Sequence, residues 1–155
     1  MNLFTYGSLM GPEGLRDVLG DRADTVVLRV ARLSGWRRIW NVYLPNFDGA
    51  VLNVAPSPGD SVVGLLVEDL AERDIALLDG LEASYLPRET VYVEPGSGEA
   101  EPAQLYHRRS GNHTGKPSGR QKIIVLERAY RAGWEVYESV CRGTVDAAGD
   151  PLTFG

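Results

Sequence analysis

Gly35-Trp36-Arg37-Arg38-Ile39-Trp40-Asn41-Val42-Tyr43, Gly49-Ala50-Val51-Leu52-Asn53-Val54 and Ser61-Val62-Val63-Gly64-Leu65-Leu66-Val67-Glu68 follow one another with only short segments between them. The last two are apolar, rich in β-branched residues and bounded by Gly, Pro, Ser or Asp, the pattern of a β-strand, and the first predicts another. Residues 24–33 alternate loosely between apolar and polar and predict one more strand ahead of them. No helical segment separates these strands. The chain therefore lacks the β-α-β alternation of a parallel doubly wound sheet.

Working outward, residues 2–6 predict a short apolar strand that ends at Gly7-Ser8. Gly11-Pro12 then opens a helix over about 12–19, with Pro12 at a first-turn position where no backbone hydrogen bond is lost. Downstream, Asp69-Leu70-Ala71-Glu72 has the form of a capping box, with Asp69 as N-cap and Glu72 reaching back. It predicts a helix from 70 to about 82 that presents Ile75, Leu78 and Leu81-Glu82 at helical spacing. Residues 86–94 and 102–108 predict strands, joined as a hairpin through Pro95-Gly96-Ser97-Gly98. A polar, glycine-rich loop covers 109–119. Ser118 and Gln121 form a second capping-box signal ahead of a helix reaching about 141. That helix carries Ile123, Leu126, Tyr130, Trp134, Tyr137 and Cys141 as a core-facing stripe. The expectation is an α+β fold: a small mixed or antiparallel β-barrel flanked by a few helices. One domain spans 1–142, and 143–155 form a loosely held tail.

The 155-residue chain is 43% hydrophobic and 24% charged. That is an ordinary balance for one globular domain, which buries roughly 70% of its unfolded surface. Cys141 is the lone cysteine, so no intramolecular disulfide forms. His107 and His113 are the only histidines, and no spacing suits zinc. No metal is expected, and a reducing cytoplasm is the expected home. The start, Met1-Asn2-Leu3-Phe4, lacks the charged and apolar regions of a signal peptide. No apolar run approaches the roughly 18 residues of a membrane span. A net charge of −5 argues against a general nucleic-acid binder. The two tight basic clusters, Arg37-Arg38 and His107-Arg108-Arg109, are expected to be solvated strand ends. Oligomeric state is not legible.

Chemistry concentrates in two places. Tyr6-Gly7-Ser8-Leu9 is a strand feeding a turn before a helix. Such a turn can gather backbone N–H groups into an anion-binding nest, and Gly7 lets a ligand approach the backbone; a plain strand terminus is the commoner alternative. The second is Glu82. A carboxylate in the last turn of a helix opposes the helix dipole, and Glu82 stands one turn beyond apolar Leu78. Desolvation there would raise its pKa toward acid–base use; a solvated helix-end charge is the plainer alternative. Asp79 is either a second carboxylate or a turn cap. No Ser-His-Asp arrangement or Gly-x-Ser-x-Gly elbow is present. Cys141 is expected to be an inert core thiol, and Trp36, Trp40 and Trp134 core residues.

In order, Phe4-Thr5-Tyr6-Gly7-Ser8-Leu9, then Leu77-Leu78-Asp79-Gly80-Leu81-Glu82 with Tyr85, Arg88 and Val91, then Lys116-Pro117-Ser118 before an apolar helix, resemble the γ-glutamyl cyclotransferase-like superfamily. The resemblance spans about residues 3–137. It implies release of 5-oxoproline from a small-molecule γ-glutamyl substrate without a cofactor. It gives Glu82 as acid and base, with Tyr6, Gly7, Ser8, Leu9, Tyr85 and Arg88 around the substrate. The chain departs from the family pattern at Ala83, where glycine is frequent, at Gln121, where tyrosine is, and at Arg128-Ala129, where Gly-Ala is. A non-catalytic module binding a similar ligand in the same pocket is the alternative.

Overall fold

The computed structural model describes residues 1–85, 87–96, 98–111 and 115–152. Its strands are β1 (Leu3–Thr5), β2 (Val27–Val42), β3 (Val51–Glu68), β4 (Glu89–Pro95), β5 (Glu101–Leu105) and β6 (Thr144–Val145). Its α-helices are α1 (Pro12–Leu19), α2 (Glu72–Leu81), α3 (Gly119–Ala132) and α4 (Trp134–Gly143). The strand order is β3-β1-β5-β4-β2-β6, and β2 also pairs with β3. That extra pairing closes the first five strands into a barrel and leaves β6 on its edge. Closure removes the exposed strand edges an open sheet would carry. Within the barrel only β1 and β5 run parallel, so the expected mixed barrel with flanking helices is the observed fold.

The four strands expected over 24–68 are two. β2 and β3 form one long antiparallel ladder, from Val27 opposite Glu68 to Val42 opposite Val51. Its register shifts between Ser34 and Trp36. The break expected at Gly35 is therefore a bend: Gly35 has φ 85° and Gly59 φ 88°. The irregularity lets each strand turn a barrel corner without ending. The barrel interior is filled from all five strands, by Phe4, Leu33, Val54, Leu66, Val93 and Leu105 among others.

Other expectations are corrected locally. Asp69 does not cap α2; it has φ 62°, and Ala71 is the N-cap. Asp74 performs the reach-back, its carboxylate accepting from the Ala71 N–H at 2.9 Å. The helix expected to run to about 141 breaks at Gly133, whose φ of 136° no helix accommodates. The buried stripe is Val125, Ala129, Val136 and Val140, slim residues that let α3 and α4 lie close on the barrel. Ile123, Tyr130 and Trp134 of the expected stripe are exposed. Tyr130 and Trp134 instead pack against the Tyr137 ring, at 5.6 and 5.4 Å between centroids. Cys141 is half-buried and free. The tail is pinned as far as Leu152: Thr144 and Val145 pair with Arg38 and Ile39, and Leu152 packs on the core. The turn at Ser97 and the tip of the 109–119 loop, Asn112 to Thr114, lie outside the described residues. The end of that loop is tied down, since Ala50 N–H donates to Lys116 O and Ser118 N–H to Ala50 O.

Candidate active site

β1 leaves the barrel at Thr5, and the chain turns at once. Met10 N–H donates to Gly7 O at 3.0 Å, closing the turn over Gly7–Met10. Among the described residues, the N–H groups of Gly7, Ser8 and Leu9 have no protein acceptor. The turn is held from both sides. Gly14 of α1 packs so closely that a Cβ there would sit 2.3 Å from Ser8 O. On the barrel side, a Cβ at Gly64 would sit 2.2 Å from Thr5 O. Glycine is required at both positions by approach, not by conformation.

A cavity of about 300 Å³ opens at this turn. Its wall includes Tyr6, Gly7, Ser8 and Leu9, then Leu81, Glu82 and Tyr85, with Leu52, Tyr106 and Gln121 completing it. The two candidate blocks, far apart in sequence, thus meet in one place. Glu82 is the residue that ends α2: its N–H donates to Leu78 O at 2.8 Å and its carbonyl accepts from Tyr85 N–H at 2.8 Å. Its carboxyl has no hydrogen-bond or ion-pair partner among the described residues. Burial without compensation pushes its pKa up to about 7.

The tyrosines around it are fixed by their hydroxyls. Tyr6 OH donates to Tyr106 O at 2.6 Å and Tyr85 OH to Leu52 O at 2.8 Å. Both titrate above the ordinary phenol range, first through burial and then through neighbouring charge that includes Glu82. They stay protonated, and so act as oriented dipoles and walls. Tyr106 OH donates to Asp79 Oδ1 at 2.7 Å.

Arg88 is not on the cavity wall. Its Nε donates to Asp79 Oδ1 at 2.9 Å and its Nη1 to Gln104 Oε1 at 2.6 Å. Expected around a substrate, Arg88 instead reaches the cavity wall only indirectly, through Asp79 to Tyr106. Burial acts to raise the Asp79 pKa, but the hydrogen bonds from Arg88 and Tyr106 prevail and hold it low. It remains a carboxylate that positions Tyr106.

Gln121 does not complete a capping box. Ser118 Oγ does accept from the Gln121 N–H at 3.2 Å, but the Gln121 carboxamide turns to the cavity wall and accepts from Leu52 N–H at 2.7 Å. Tyr106 and Leu52 were not singled out from sequence. Tyr106 follows directly on the buried Leu105, so only the strand's end distinguishes it from a core aromatic.

Arg38, expected at a solvated strand end, is fully buried beneath the turn. Among the described residues no group of His, Cys, Asp and Glu is placed to hold a metal ion, and no helix is long and apolar enough to cross a membrane.

Over residues 3–132 the sequence matches the family described as gamma-glutamyl cyclotransferase, AIG2-like. No curated protein matches it. Several solved structures share its fold. An uncharacterised human protein superposes with a TM-score of 0.76 at 21% identity, covering 99% of this chain and 90% of that one. A protein named gamma-glutamyl cyclotransferase gives a TM-score of 0.76 at 20% identity, over 99% and 90% of the two chains. YkqA from Bacillus subtilis gives 0.65 at 19% identity, over 90% of this chain and 52% of its own. With the match covering the turn, the barrel and Glu82 together, the chain belongs to the gamma-glutamyl cyclotransferase, AIG2-like family.

Proposed function

We propose that the protein cyclises γ-glutamyl compounds, releasing 5-oxoproline and a free amine. The observation that carries this reading is the unpartnered carboxyl of Glu82, with its pKa raised to about 7, on the same wall as the Gly7–Leu9 turn. The substrate's α-ammonium gives a proton to the Glu82 carboxylate. The freed amine nitrogen attacks the γ-carbonyl carbon, forming the ring C–N bond. The bond from that carbon to the leaving nitrogen breaks as the Glu82 proton passes to that nitrogen, and the ring nitrogen gives its second proton to the freed Glu82 carboxylate, which hands it on to the departing amine. A group that both takes and returns a proton works best when its pKa lies near the operating pH. The reaction is intramolecular, so much of the catalysis is holding a folded near-attack conformer. The unused N–H groups of Gly7, Ser8 and Leu9 suit a carboxylate or developing oxyanion. Tyr6 and Tyr85 wall the pocket, and Tyr106 and Leu52 complete it. No electron transfer occurs, so the chemistry calls for no cofactor. The lone cysteine supports a reducing, cytoplasmic setting.

Incubation with a panel of γ-glutamyl amino acids, peptides and amines, followed by assay of 5-oxoproline, tests the proposal. Product from at least one member, lost in Glu82→Gln, is expected. Binding without product would replace the enzyme by a binding module.

A further inference from the structure

A second cleft, of about 410 Å³, shares no lining residue with the cavity that holds Glu82. Ala83, Ser84 and Pro87 line it from the segment after α2, and His107, Arg108, Arg109 and Ser110 from the segment after β5. Among the described residues no acid lines it. The Arg108 and Arg109 guanidiniums have neither an ion-pair nor a hydrogen-bond partner among the described residues, and the Ser84 and Ser110 hydroxyls have no hydrogen-bond partner there. Other arginines of the surface, such as Arg16, Arg29 and Arg131, face carboxylates. In a chain of net charge −5, two adjacent arginines without one stand apart.

The backbone that carries them is anchored. Arg108 N–H donates to Asn53 Oδ1 at 2.9 Å and Arg108 O accepts from Asn53 Nδ2 at 2.8 Å, and Asn53 is fully buried. Asn53 Nδ2 also donates to Asn41 Oδ1 at 3.1 Å. Gly111 packs on that same Asn41 side chain, so closely that a Cβ would sit 2.3 Å from its Nδ2. His107 is fixed as well: its Nε2 donates to Glu89 Oε2 at 2.7 Å, and its ring meets Trp36 edge-on at 4.9 Å between centroids. Glu89 is thereby engaged by His107 and is not on the cleft wall. A segment ordered in advance loses less freedom when a ligand arrives.

We propose that this cleft is a second ligand site, one that takes a small organic phosphate monoester. Its uncommitted guanidiniums and hydroxyls all donate hydrogen bonds, so the fitting occupant is rich in acceptors. A phosphate monoester offers three such oxygens and roughly 1.5–2 negative charges at pH 7. That charge matches two guanidiniums, each able to bind phosphate through its fork, whereas a single carboxylate neutralises one. The cleft volume falls in the roughly 300–1,000 Å³ range of small-molecule sites. It leaves room for an organic portion against Ala83, Pro87 and the His107 ring. Nothing in this inference rests on the cyclotransferase reading.

Calorimetry at low salt with ribose 5-phosphate, ribose and succinate tests it, succinate being a dianion with no phosphoryl group. Ribose 5-phosphate is expected to bind about 10-fold or more tightly than succinate, and ribose not at all. Its affinity should fall as salt screens the cleft. Arg108→Gln/Arg109→Gln should weaken it by about 10-fold or more. Arg109→Gln alone, at an exposed position, leaves the Asn53 anchor untouched and should lose part of the affinity. Amide chemical shifts should move at Ser84 and Arg108–Ser110 on titration. Shifts at Gly7–Leu9 in their place would put the anion on that turn and overturn the proposal. So would an absence of binding, or an affinity undisturbed in both arginine variants. Succinate binding as tightly as ribose 5-phosphate would reduce the cleft to general attraction of counter-ions and overturn it too. None of these readouts depends on 5-oxoproline release, so this proposal and the cyclotransferase fail separately.

Discussion

Nε of Arg38 donates to the carbonyl oxygen of Tyr6 at 2.9 Å from a position with no solvent exposure. The same guanidinium donates to Val63 O at 2.6 Å and to Ser139 Oγ at 3.0 Å. One side chain thus ties the start of the Tyr6–Leu9 turn to β3 and α4. No carboxylate pairs with it among the described residues, and desolvation draws its pKa down to about 9. Arg38→Met should leave both carbonyls unpaired, at roughly 1–3 kcal/mol for each. Urea unfolding should show a lower midpoint with an unchanged slope. Arg38→Lys, which lacks the fork, should fall between the two. A midpoint matching wild type in Arg38→Met would remove the tie.

Glu82 links stability to pH in a definite direction. Its pKa rises from an ordinary 4.5 to about 7 in the folded protein. The folded state therefore holds this proton more tightly than the unfolded chain. Full stability is present below about pH 4.5, declines as the pH passes toward 7, and is least above it. Glu82→Gln removes the titration. It should melt with wild type near pH 4.5 and above it at pH 8, by an equivalent of about 1–3 kcal/mol. The same substitution should lower turnover by about 10²–10⁴-fold. A variant that is more stable at pH 8 but inactive is the expected signature. Equal melting at both pH values would show that the carboxyl is well solvated.

The barrel was legible because its strands carry period-two or continuous apolar runs, and because no helix intervenes between 24 and 68. What sequence did not convey was continuity. Gly35 read as the start of a strand and the segment around Gly59 as a gap between two, yet in a small barrel both are corners inside longer strands. Helix α3/α4 misled for a different reason. The large apolar residues there stack on one another at the surface, and the buried face uses valine and alanine, which weigh little in a pattern count. The binding turn and Glu82 were legible as separate candidates, each with a plain alternative. Their shared cavity depends on barrel closure, a tertiary fact that local pattern cannot carry. Arg88 illustrates the limit: its position near Glu82 in sequence gave no sign that Asp79 and Gln104 would claim its guanidinium.

Asp79 holds Tyr106 on the cavity wall while being held by Arg88. Asp79→Ala removes the acceptor and leaves the Tyr106 hydroxyl and Arg88 without it. Arg88 and Asp79 are both about a quarter to a third exposed, so solvent offsets part of the loss, and about 1–2 kcal/mol is expected. Tyr106→Phe should cost less, since it removes donor and leaves a carboxylate still paired to Arg88. A double-mutant cycle between Asp79→Ala and Tyr106→Phe should give a coupling of about 0.5 kcal/mol or more. In both single variants kcat/KM for γ-glutamyl turnover should fall. Strict additivity in unfolding and in kinetics would mean that Asp79 acts only on Arg88.

Two glycines on helices should respond oppositely to the same change. Gly80 lies exposed in α2, and a Cβ there meets nothing within 4 Å. Alanine restores helix propensity, so Gly80→Ala should stabilise by up to about 1 kcal/mol. Gly14 lies buried in α1, where a Cβ would meet Ser8 O at 2.3 Å and Leu9 Cα at 3.1 Å. These are backbone atoms of the Tyr6–Leu9 turn, which cannot swing aside as a side chain would. The same gain in propensity is then outweighed by the collision, typically about 1–3 kcal/mol for an overpacked site. Relief requires the turn to shift relative to α1, which carries the Gly7–Leu9 N–H groups away from Glu82. Gly14→Ala should therefore lose both melting temperature and kcat/KM, whereas Gly80→Ala should gain the first. Thermal melts of the two variants beside wild type, with 5-oxoproline release measured well below their midpoints, decide the matter. A Gly14→Ala protein as stable and active as wild type would show that α1 is free to retreat from the turn.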